Sequence, residues 1–336
     1  MRVALVTHPS SFDHRGPPQH PERPERVSAA VEGVEESSLT VVRVTAEPVE
    51  RRSLLEVHEA SFVDALERFC AGGGGAIDAD TFAVGASWPA ALNAAGAGAA
   101  AVRSLRSDSA DVAFLAMRPP GHHAERGQAM GFCLLNNVAV TAAELARAGE
   151  RVAIVDWDVH HGNGTQRIFA AESDVLYVSL HQHPFYPGTG LPTEIGQGAA
   201  RGTTVNLPMR AGADGLMYAE AFARVVIPII RQFEPDWMLV SAGYDAHRSD
   251  PLAEIELVEG DYAWMAGALN TLIPKQRTVF FLEGGYDLDA LRGSISATLN
   301  GHAGLGGTEP PANGSEPTNR VLSQIVETLA PYWDLG

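Results

Sequence analysis

The chain is poor in cysteine, with only Cys70 and Cys133 among its 336 residues. Two cysteines cannot form the kind of disulfide framework that holds small secreted domains together, and their scarcity fits a reducing compartment. The amino terminus, residues 1–8, is too short and polar for a signal peptide and is typical of a first strand. We therefore expect a cytoplasmic protein.

Long apolar runs and basic residues are scarce as well. No stretch approaches the roughly 20 apolar residues of a membrane span. The 24 Lys and Arg residues are outnumbered by 41 Asp and Glu, which gives a formal net charge of −17. Because nucleic-acid binding needs a basic face, neither nucleic acid nor a membrane is an expected partner. The acidic balance is compatible with cationic partners such as polyamines or Lys- and Arg-rich tails.

Internal repeats and long linkers are missing too, so we expect one α/β domain over residues 1–336. Apolar segments that read as strands alternate with helical segments, which predicts a central, mostly parallel eight-stranded sheet flanked by helices. The predicted strands are residues 1–8, 39–44, 112–116, 152–156, 175–180, 203–207, 237–241 and 278–282. One predicted helix begins after Pro24. The others span residues 51–57, 61–70, 89–105, 133–148, 216–231, 261–273, 288–299 and 319–332. Residues 302–318 are expected to form a surface loop.

The stretch from residue 152 to residue 164 is the centre of the pattern. A run of four apolar residues reads as a buried strand, and it ends in Asp-x-Asp-x-His-His followed by Gly-Asn-Gly. Asp156, Asp158 and His160 share one face of an extended chain and lie at the carboxyl end of that strand, where open α/β sheets place their sites. Two carboxylates at such a short distance repel each other unless a cation lies between them, so the pattern indicates a divalent metal.

Other predicted strands also end in polar residues. Pro119-Pro120-Gly121 forces a turn before His122 and His123, an arrangement that suits a general acid and base pair. Asp245 follows the strand 237–241 and can complete a three-ligand set that leaves a fourth position open for water and substrate, as catalytic zinc sites need.

The last strand leads into Glu283-Gly284-Gly285-Tyr286. The two glycines allow the backbone to approach a ligand closely and carry a tyrosine hydroxyl to the pocket mouth. Taken singly, each feature also fits a surface histidine pair, a turn aspartate or a packed tyrosine. Four strand ends that all carry such polar residues favour a functional site.

These residues give the chain a resemblance to the histone deacetylase superfamily over nearly its whole length, most closely to class II-like bacterial deacetylases and acetylpolyamine amidohydrolases. The motifs that carry it are Arg118-Pro-Pro-Gly-His-His-Ala124, Gly131-Phe-Cys133, Asp156-Trp-Asp-Val-His-His-Gly-Asn-Gly-Thr165, Tyr186-Pro-Gly-Thr-Gly190, Ser241-Ala-Gly-Tyr-Asp245 and Glu283-Gly-Gly-Tyr286. The resemblance implies the arginase/deacetylase fold and a zinc-dependent hydrolysis of acetyl or short acyl amides.

The resemblance also implies a role for each matching residue. It implies a zinc ion, with iron(II) as an alternative, on Asp158, His160 and Asp245. His123 would act as the general base, His122 as its electrostatic or proton-donating partner, Asp156 as the residue that orients His122, and Tyr286 as the hydroxyl donor to the substrate carbonyl. The substrate would contact Gly131, Phe132, Tyr186, Leu252, Gly284 and Gly285. A structural potassium ion would lie at Asp156, Asp158, His160, Ser179 and Leu180.

One position departs from many members of the family. The residue that orients His123 is often an aspartate, whereas here it is Asn163, as in the class II-like branch. A neutral partner stabilises an imidazolium less than a carboxylate does. We therefore hypothesise that His123 is less basic here than in the aspartate-containing branch.

Three alternatives stay open. An arginase-like ureohydrolase would need extra carboxylates where Gly162 and Gly243 stand, and a catalytically inactive binding homologue would be expected to have lost a ligand, a histidine or the tyrosine. An acetylpolyamine amidohydrolase differs only in substrate. Leu252 brings no charge for a distal ammonium, which favours acetylated lysine in a peptide or protein over an acetylated polyamine. Loops 10–25 and 72–88 are expected to control access, and the sequence indicates no oligomeric state.

Overall fold

The computed structural model describes residues 1–306 and 319–336. Eight strands form one sheet in the order β2-β1-β5-β10-β9-β6-β7-β8, and every neighbouring pair is parallel. The strands are β1 (Arg2–Thr7), β2 (Thr40–Thr45), β5 (Val112–Leu115), β6 (Val152–Asp156), β7 (Val175–Gln182), β8 (Thr204–Met209), β9 (Trp237–Ala242) and β10 (Thr278–Leu282), with a hairpin of β3 (Gly74–Ala76) and β4 (Phe82–Val84) outside the sheet. The predicted eight-stranded α/β sheet is confirmed.

Helices cover both faces of this sheet. They are α1 (Glu25–Glu36), α2 (Arg51–Val57), α3 (Ala60–Ala71), α4 (Ser87–Arg106), α5 (Asn137–Arg147), α6 (Asn163–Phe169), α7 (Gly215–Ala221), α8 (Ile227–Phe233), α9 (Glu259–Asn270), α10 (Leu288–His302) and α11 (Asn319–Leu329). Successive strand residues point to opposite faces, so Val155 belongs to one core cluster and Ile154 to the other. Within 1–306 and 319–336, no helix has both the length and the apolar character needed to cross a membrane.

The register of the central strands places the polar strand ends side by side. Asp156, the last residue of β6, is paired with Ser241 of β9, and Ala242 at the end of β9 is paired with Leu282 at the end of β10. Strand β10 pairs in turn with β5, which ends just before the 118–123 segment. Carboxyl ends of parallel strands meet at one sheet edge, so the four predicted segments converge there.

Several predicted boundaries differ from the structure. The helix predicted from residue 133 begins at Asn137, because the Asn136 side chain accepts the backbone N–H of Ala139 and caps the helix there. Helix α6 is not among the predicted helices, because Gly-Asn-Gly, within which it begins, is a turn signal. The helix predicted at 216–231 is α7 and α8 joined by a π-helical segment, Phe222–Val226.

The predicted access loop and carboxyl-terminal segments also change. Residues 72–88 contain the β3–β4 hairpin, and the helix predicted at 319–332 ends at Leu329. Helix α10 extends through His302, so the predicted surface loop 302–318 begins as helix. Residues 307–318 of that loop lie outside the described residues.

Candidate metal and catalytic site

Asp158, His160 and Asp245 come together at the carboxyl edge of the sheet. One possible ligand atom from each lies within 4.8 Å of the others. The His160 Nδ1 atom is 3.1 Å from Asp158 Oδ1 and 3.1 Å from Asp245 Oδ2. Backbone N–H groups hold the remaining carboxylate oxygens, with Val159 donating to Asp245 and Gly284 donating to Asp158. The sequence prediction that these three side chains converge agrees with this geometry.

The electrostatics of this cluster favour a cation. Burial favours the neutral ring of His160, but its hydrogen bonds to Asp158 and Asp245 outweigh burial and raise its pKa to about 10. The two buried carboxylates therefore attract a proton strongly when no other positive charge lies between them. Two carboxylates and one imidazole are ligands that zinc accepts, so the residues present fit a divalent metal.

Two glycines keep the surroundings of the cluster free of side chains. A Cβ atom at Gly243 would lie 2.1 Å from Asp158 Oδ2, and one at Gly284 would lie 2.0 Å from Asp245 Oδ2. A Cβ atom at Gly162 would likewise lie 2.2 Å from Asp156 Oδ2. An arginase-like pair of metals needs extra carboxylates at Gly162 and Gly243, and neither position has room for one.

His122 and His123 are adjacent in the chain but differ in protonation. Burial favours the neutral ring of His122, but the charges of Asp156, Asp158 and Glu283 outweigh burial and raise its pKa to about 10. Burial and the neighbouring His122 lower the pKa of His123 well below its usual value. The ring centroids are 4.0 Å apart. One ring is therefore a stable cation, and the other is a neutral base.

Each histidine is oriented by a partner on the β6–α6 segment. The His122 Nδ1 atom is 3.0 Å from Asp156 Oδ2, which also accepts a hydrogen bond from the Tyr177 hydroxyl. The His123 Nδ1 atom is 2.8 Å from Asn163 Oδ1. Each histidine is therefore paired with the residue that the family resemblance implies as its orienting partner, and the roles themselves stay predictions.

Three of the five residues predicted to bind potassium lie on two neighbouring strands, and Asp158 and His160 follow the end of β6. Asp156 and Ser179 are paired across β6 and β7, and Leu180 follows Ser179 on β7. The Ser179 hydroxyl is 2.9 Å from the His181 Nδ1 atom. The potassium site stays a prediction.

A cavity of about 220 Å³ opens onto this cluster. Its lining residues are Asp80, Pro120, His122, His123, Gly131, Phe132, His160, Tyr186, Leu252, Gly284 and Tyr286. The Phe132 ring meets the Tyr286 ring edge to face at 5.9 Å, and the Tyr186 ring meets His123 at 5.2 Å. The expected walls, Phe132 and Tyr186, therefore both border the cavity. Gly285 is not among the lining residues and packs against Tyr244.

Backbone strain accompanies one wall of the cavity. Gly131 has φ +56° and Phe132 has φ +66°, both in the left-handed region that side chains disfavour. A Cβ atom at Gly131 would lie 2.4 Å from His123 Cδ2. Glycine is therefore required beside His123, and the strain at Phe132 is of the kind that clusters at functional sites.

Tyr286 is anchored through its backbone and its ring. The Asp250 carboxylate accepts backbone hydrogen bonds from Leu252, Tyr286 and Asp287, at 3.0, 2.6 and 3.3 Å. The Arg26 guanidinium lies 5.0 Å from the Tyr286 ring centroid. Burial and Asp245 raise the pKa of the Tyr286 hydroxyl well above its usual value, so this hydroxyl remains a donor at neutral pH.

A second buried charge cluster, which we call the Glu22 cluster, consists of Glu22, His14, Arg26 and Arg118. Arg118 donates to both Glu22 carboxylate oxygens, and Arg26 donates to Glu22 Oε1 at 3.2 Å. Burial disfavours the charged carboxylate, but Arg118 outweighs burial and lowers the pKa of Glu22 to about 2. Arg26 also donates to the Gly285 and Glu283 carbonyls, which supports the turn that carries Tyr286.

A second possible ligand group, His122, Cys133 and Glu283, lies behind the cavity. Its atoms already have partners, because His122 binds Asp156 and the Glu283 carboxylate accepts the backbone N–H groups of Gly121 and His122. Burial and Glu283 raise the pKa of the Cys133 thiol well above its usual value. A metal ion binds thiolate, so this group is a weaker metal candidate.

Sequence reasoning missed four residues that act on this site: Asp80, Glu125, Asp250 and Arg26. Asp80 lines the cavity from the β3–β4 hairpin, and burial raises its pKa. The available signal was the Asp78-x-Asp80 pair within a loop already expected to control access. Glu125 directly follows the His-His-Ala motif, and nothing in the local sequence distinguishes it from a surface glutamate.

Comparisons with known proteins agree with the geometry. A sequence profile described as the histone deacetylase domain matches residues 20–302. A probable deacetylase from Archaeoglobus fulgidus is 37% identical and covers 86% of this chain and 82% of its own. A histone deacetylase-like amidohydrolase from Pseudomonas aeruginosa is 38% identical over 72% of this chain and 65% of its own. The crystal structure of the HDA15 HD domain matches with a TM-score of 0.90 and 35% identity, covering 98% of this chain and 95% of that one.

Proposed function

This chain belongs to the histone deacetylase family, and we propose that it is a zinc-dependent amidohydrolase that removes acetyl or short acyl groups from acetyl-lysine-type substrates. Family membership supports deacetylase or amidohydrolase activity in general. The observation that carries the finer proposal is the meeting of Asp158, His160 and Asp245 with a neutral His123 and a protonated Tyr286 around one cavity.

Asp158, His160 and Asp245 would hold the zinc ion. When bound, zinc supplies Lewis-acid polarisation of the amide carbonyl and lowers the pKa of a bound water. His123 takes the proton from the attacking water, because its ring is neutral and its Nδ1 is already committed to Asn163. The cationic His122 stabilises the negative charge that develops beside it.

Tyr286 supplies the hydrogen bond to the substrate carbonyl. Its raised pKa keeps the hydroxyl protonated, and the Phe132 ring packs against it. The hydroxyl donates first to the carbonyl oxygen and then to the tetrahedral oxyanion, and losing one such donor typically costs about 10²–10³ in rate. The proton held by His122 or His123 passes to the leaving amine.

The narrow cavity supports a linear acyl-amine substrate. Phe132 and Tyr186 provide apolar walls for the methylene stem of a lysine, and Leu252 lies at the mouth without a charge. The proposal includes a structural potassium ion at Asp156, Asp158, His160, Ser179 and Leu180. It also includes a single deacetylase domain over residues 1–336.

An acetylpolyamine is the second candidate substrate, and one observation favours it. Asp80 is the acidic residue that lines the cavity away from the three proposed ligands, and a carboxylate there can attract a distal ammonium. The overall net charge of −17 acts in the same direction.

A matched substrate pair tests the proposal. We would measure kcat/KM for an acetyl-lysine peptide and an N-acetylpolyamine with the zinc-loaded protein, its Tyr286→Phe variant and a Leu252→Glu variant. The proposal expects the peptide to be preferred, Tyr286→Phe to lose about 10²–10³ in rate on both substrates, and Leu252→Glu to shift preference toward the polyamine. Polyamine preference in the unaltered protein would move the assignment to the second candidate. No turnover of either amide would refute the proposed reaction.

A further inference from the structure

The Asn163 amide lies between His123 and a carboxylate that the proposed mechanism does not use. Asn163 Oδ1 is 2.8 Å from His123 Nδ1, and Asn163 Nδ2 donates to Glu125 Oε1 at 2.6 Å. The other Glu125 oxygen accepts a hydrogen bond from Arg167 at 2.7 Å. A line of hydrogen bonds therefore runs from the cavity to the surface through His123, Asn163, Glu125 and Arg167.

The direction of every hydrogen bond in this line follows from Glu125. A carboxylate only accepts, so it must face the NH₂ side of the Asn163 amide. The amide carbonyl then faces His123 and accepts a hydrogen bond from the Nδ1–H group. The His123 proton is thereby held on Nδ1, and the Nε2 lone pair is left for the cavity.

The reversed amide would disable the base. If the Asn163 NH₂ group faced His123, then Nδ1 would have to accept, and the single proton of the neutral ring would move to Nε2. A protonated Nε2 cannot take a proton from water. The orientation of one amide therefore decides whether His123 can act.

Glu125 is itself held in place. Its backbone carbonyl accepts a hydrogen bond from His58 Nδ1 at 2.8 Å, while His58 Nε2 accepts the backbone N–H of Asn136 at 2.9 Å. The Glu125 side chain is 14% exposed, whereas that of Arg167 is 61% exposed. The weaker acceptors near Asn163 Nδ2 are the Met130 sulfur at 3.4 Å and the His123 carbonyl at 3.5 Å. Glu125 is the closest and the only charged acceptor among these three.

We propose that Glu125 is a positioning residue that fixes the Asn163 amide, and through it the protonation of His123 on Nδ1. This inference rests on the proposed role of His123 as the base. It also explains why an amide rather than a carboxylate stands at Asn163, because two carboxylates 2.6 Å apart would repel each other or share a proton.

A reciprocal exchange of the two side chains tests the proposal. In Asn163→Asp the new carboxylate faces the Glu125 carboxylate. In Glu125→Gln the oxygen of the new amide accepts from Arg167, so the NH₂ group of the glutamine faces Asn163. The Asn163 amide then reverses to accept from that NH₂ group. In the double variant each donor again faces an acceptor, with Gln donating to Asp and Asp accepting from His123 Nδ1. Each single variant should lose roughly 10- to 100-fold in kcat with little change in KM, and the double variant should recover most of that loss.

The control and the second measurement keep the result interpretable. Glu56 forms a comparable half-buried pair with Arg147 at 2.8 Å, away from the cavity, so Glu56→Gln should retain wild-type kcat. The midpoint of thermal unfolding should fall in Asn163→Asp and rise again in the double variant. This measurement needs no turnover, so it still tests the pair if the proposed reaction fails.

Additive losses in the double variant, or wild-type kcat in Glu125→Gln, would overturn the proposal. A loss in Glu56→Gln equal to that in Glu125→Gln would also overturn it, because the effect would then follow from removing any buried glutamate. Recovery of both kcat and the unfolding midpoint in the double variant is the expected result.

Discussion

Two clusters of buried charge, the Glu22 cluster and the candidate metal cluster, are balanced in opposite ways. In the Glu22 cluster a single carboxylate faces the guanidinium groups of Arg118 and Arg26, and its pKa falls to about 2. In the metal cluster, which consists of Asp158, His160 and Asp245, the carboxylates face imidazoles rather than guanidinium groups: His160, whose pKa rises to about 10, and His122, whose Nε2 is 3.8 Å from Asp158 Oδ1. Both clusters are buried, so solvent does not account for the difference.

The contrast separates a structural ion pair from a proposed binding site. The two guanidinium groups of Arg118 and Arg26 exceed the single negative charge of Glu22, so no further cation is attracted there. The metal cluster and the adjacent Asp156 carry three buried carboxylates, and protons on His160 and His122 only partly offset their charge. A buried excess of one charge is costly, and proteins keep it where a ligand supplies the opposite charge.

Removal of Asp245 should have the largest effect on the metal cluster. In Asp245→Ala we expect no measurable turnover, and we expect added zinc to stop raising the midpoint of thermal unfolding. In the wild type, zinc at 100 times its dissociation constant should stabilise the fold by about 2.7 kcal/mol. Asp245→Asn, which keeps an oxygen ligand, is the matched control and should retain part of the zinc effect. A full zinc effect in Asp245→Ala would contradict the assignment of this residue as a ligand.

Loss of the Glu22 charge should act on stability instead. Glu22→Gln leaves Arg118 and Arg26 buried without their carboxylate, which should lower the free energy of unfolding by about 3–5 kcal/mol. The stabilisation by zinc should remain as in the wild type, because no metal ligand is changed. Denaturant unfolding with and without zinc measures both quantities. An unchanged free energy of unfolding would refute the structural role of the cluster.

The Glu22 contribution should also depend on pH. The pKa of Glu22 is about 2 in the folded protein and 4.5 as the ordinary value, so its stabilising effect is complete above pH 4.5. As the pH falls from 4.5 toward 2, that stabilisation is lost. The difference in unfolding free energy between wild type and Glu22→Gln should therefore shrink over this range. A difference that grows instead would mean that the carboxyl is protonated in the folded state.

The smallest effect is expected at Asp80, a partly exposed carboxylate that belongs to neither cluster. Solvent screens such a charge, so Asp80→Asn should raise KM for an acetylpolyamine by no more than about fivefold and leave the zinc effect unchanged. Measurements at low and high salt should show the difference only at low salt. If Asp80→Asn lost turnover on acetyl-lysine peptides, Asp80 would do more than attract a distal ammonium.

Much of the fold and of the metal cluster followed from local patterns. Continuous apolar runs such as Val152–Val155 predict buried parallel strands, and the sheet edge then brings Asp158 and Asp245 together although they are far apart in the chain. The period of two predicted that Asp158 and His160 share one face of an extended chain; β6 ends at Asp156 instead, although the two side chains do meet, with His160 Nδ1 3.1 Å from Asp158 Oδ1. These predictions depend on backbone geometry that short segments determine.

The residues that were missed depend on contacts between distant segments. Sequence analysis identified Asn163 but not the helix that it begins, because Gly162 and Gly164 on either side are a local turn signal. Asp250 reaches the backbone of Tyr286 only through the folded β9–β10 crossover. Glu125 looks like an ordinary surface glutamate until the β6–α6 turn brings Asn163 beside it. No spacing rule reports such contacts.

The Asp250 carboxylate has a consequence for how this site can diverge. It binds the backbones of Leu252 and Tyr286, both of which line the cavity. A mutation that reshapes the Leu252 turn to admit a new amide therefore also displaces the anchor of the tyrosine. Selection for a new substrate is thus tied to the turnover rate, and lineages that change specificity should carry compensating changes around Asp250.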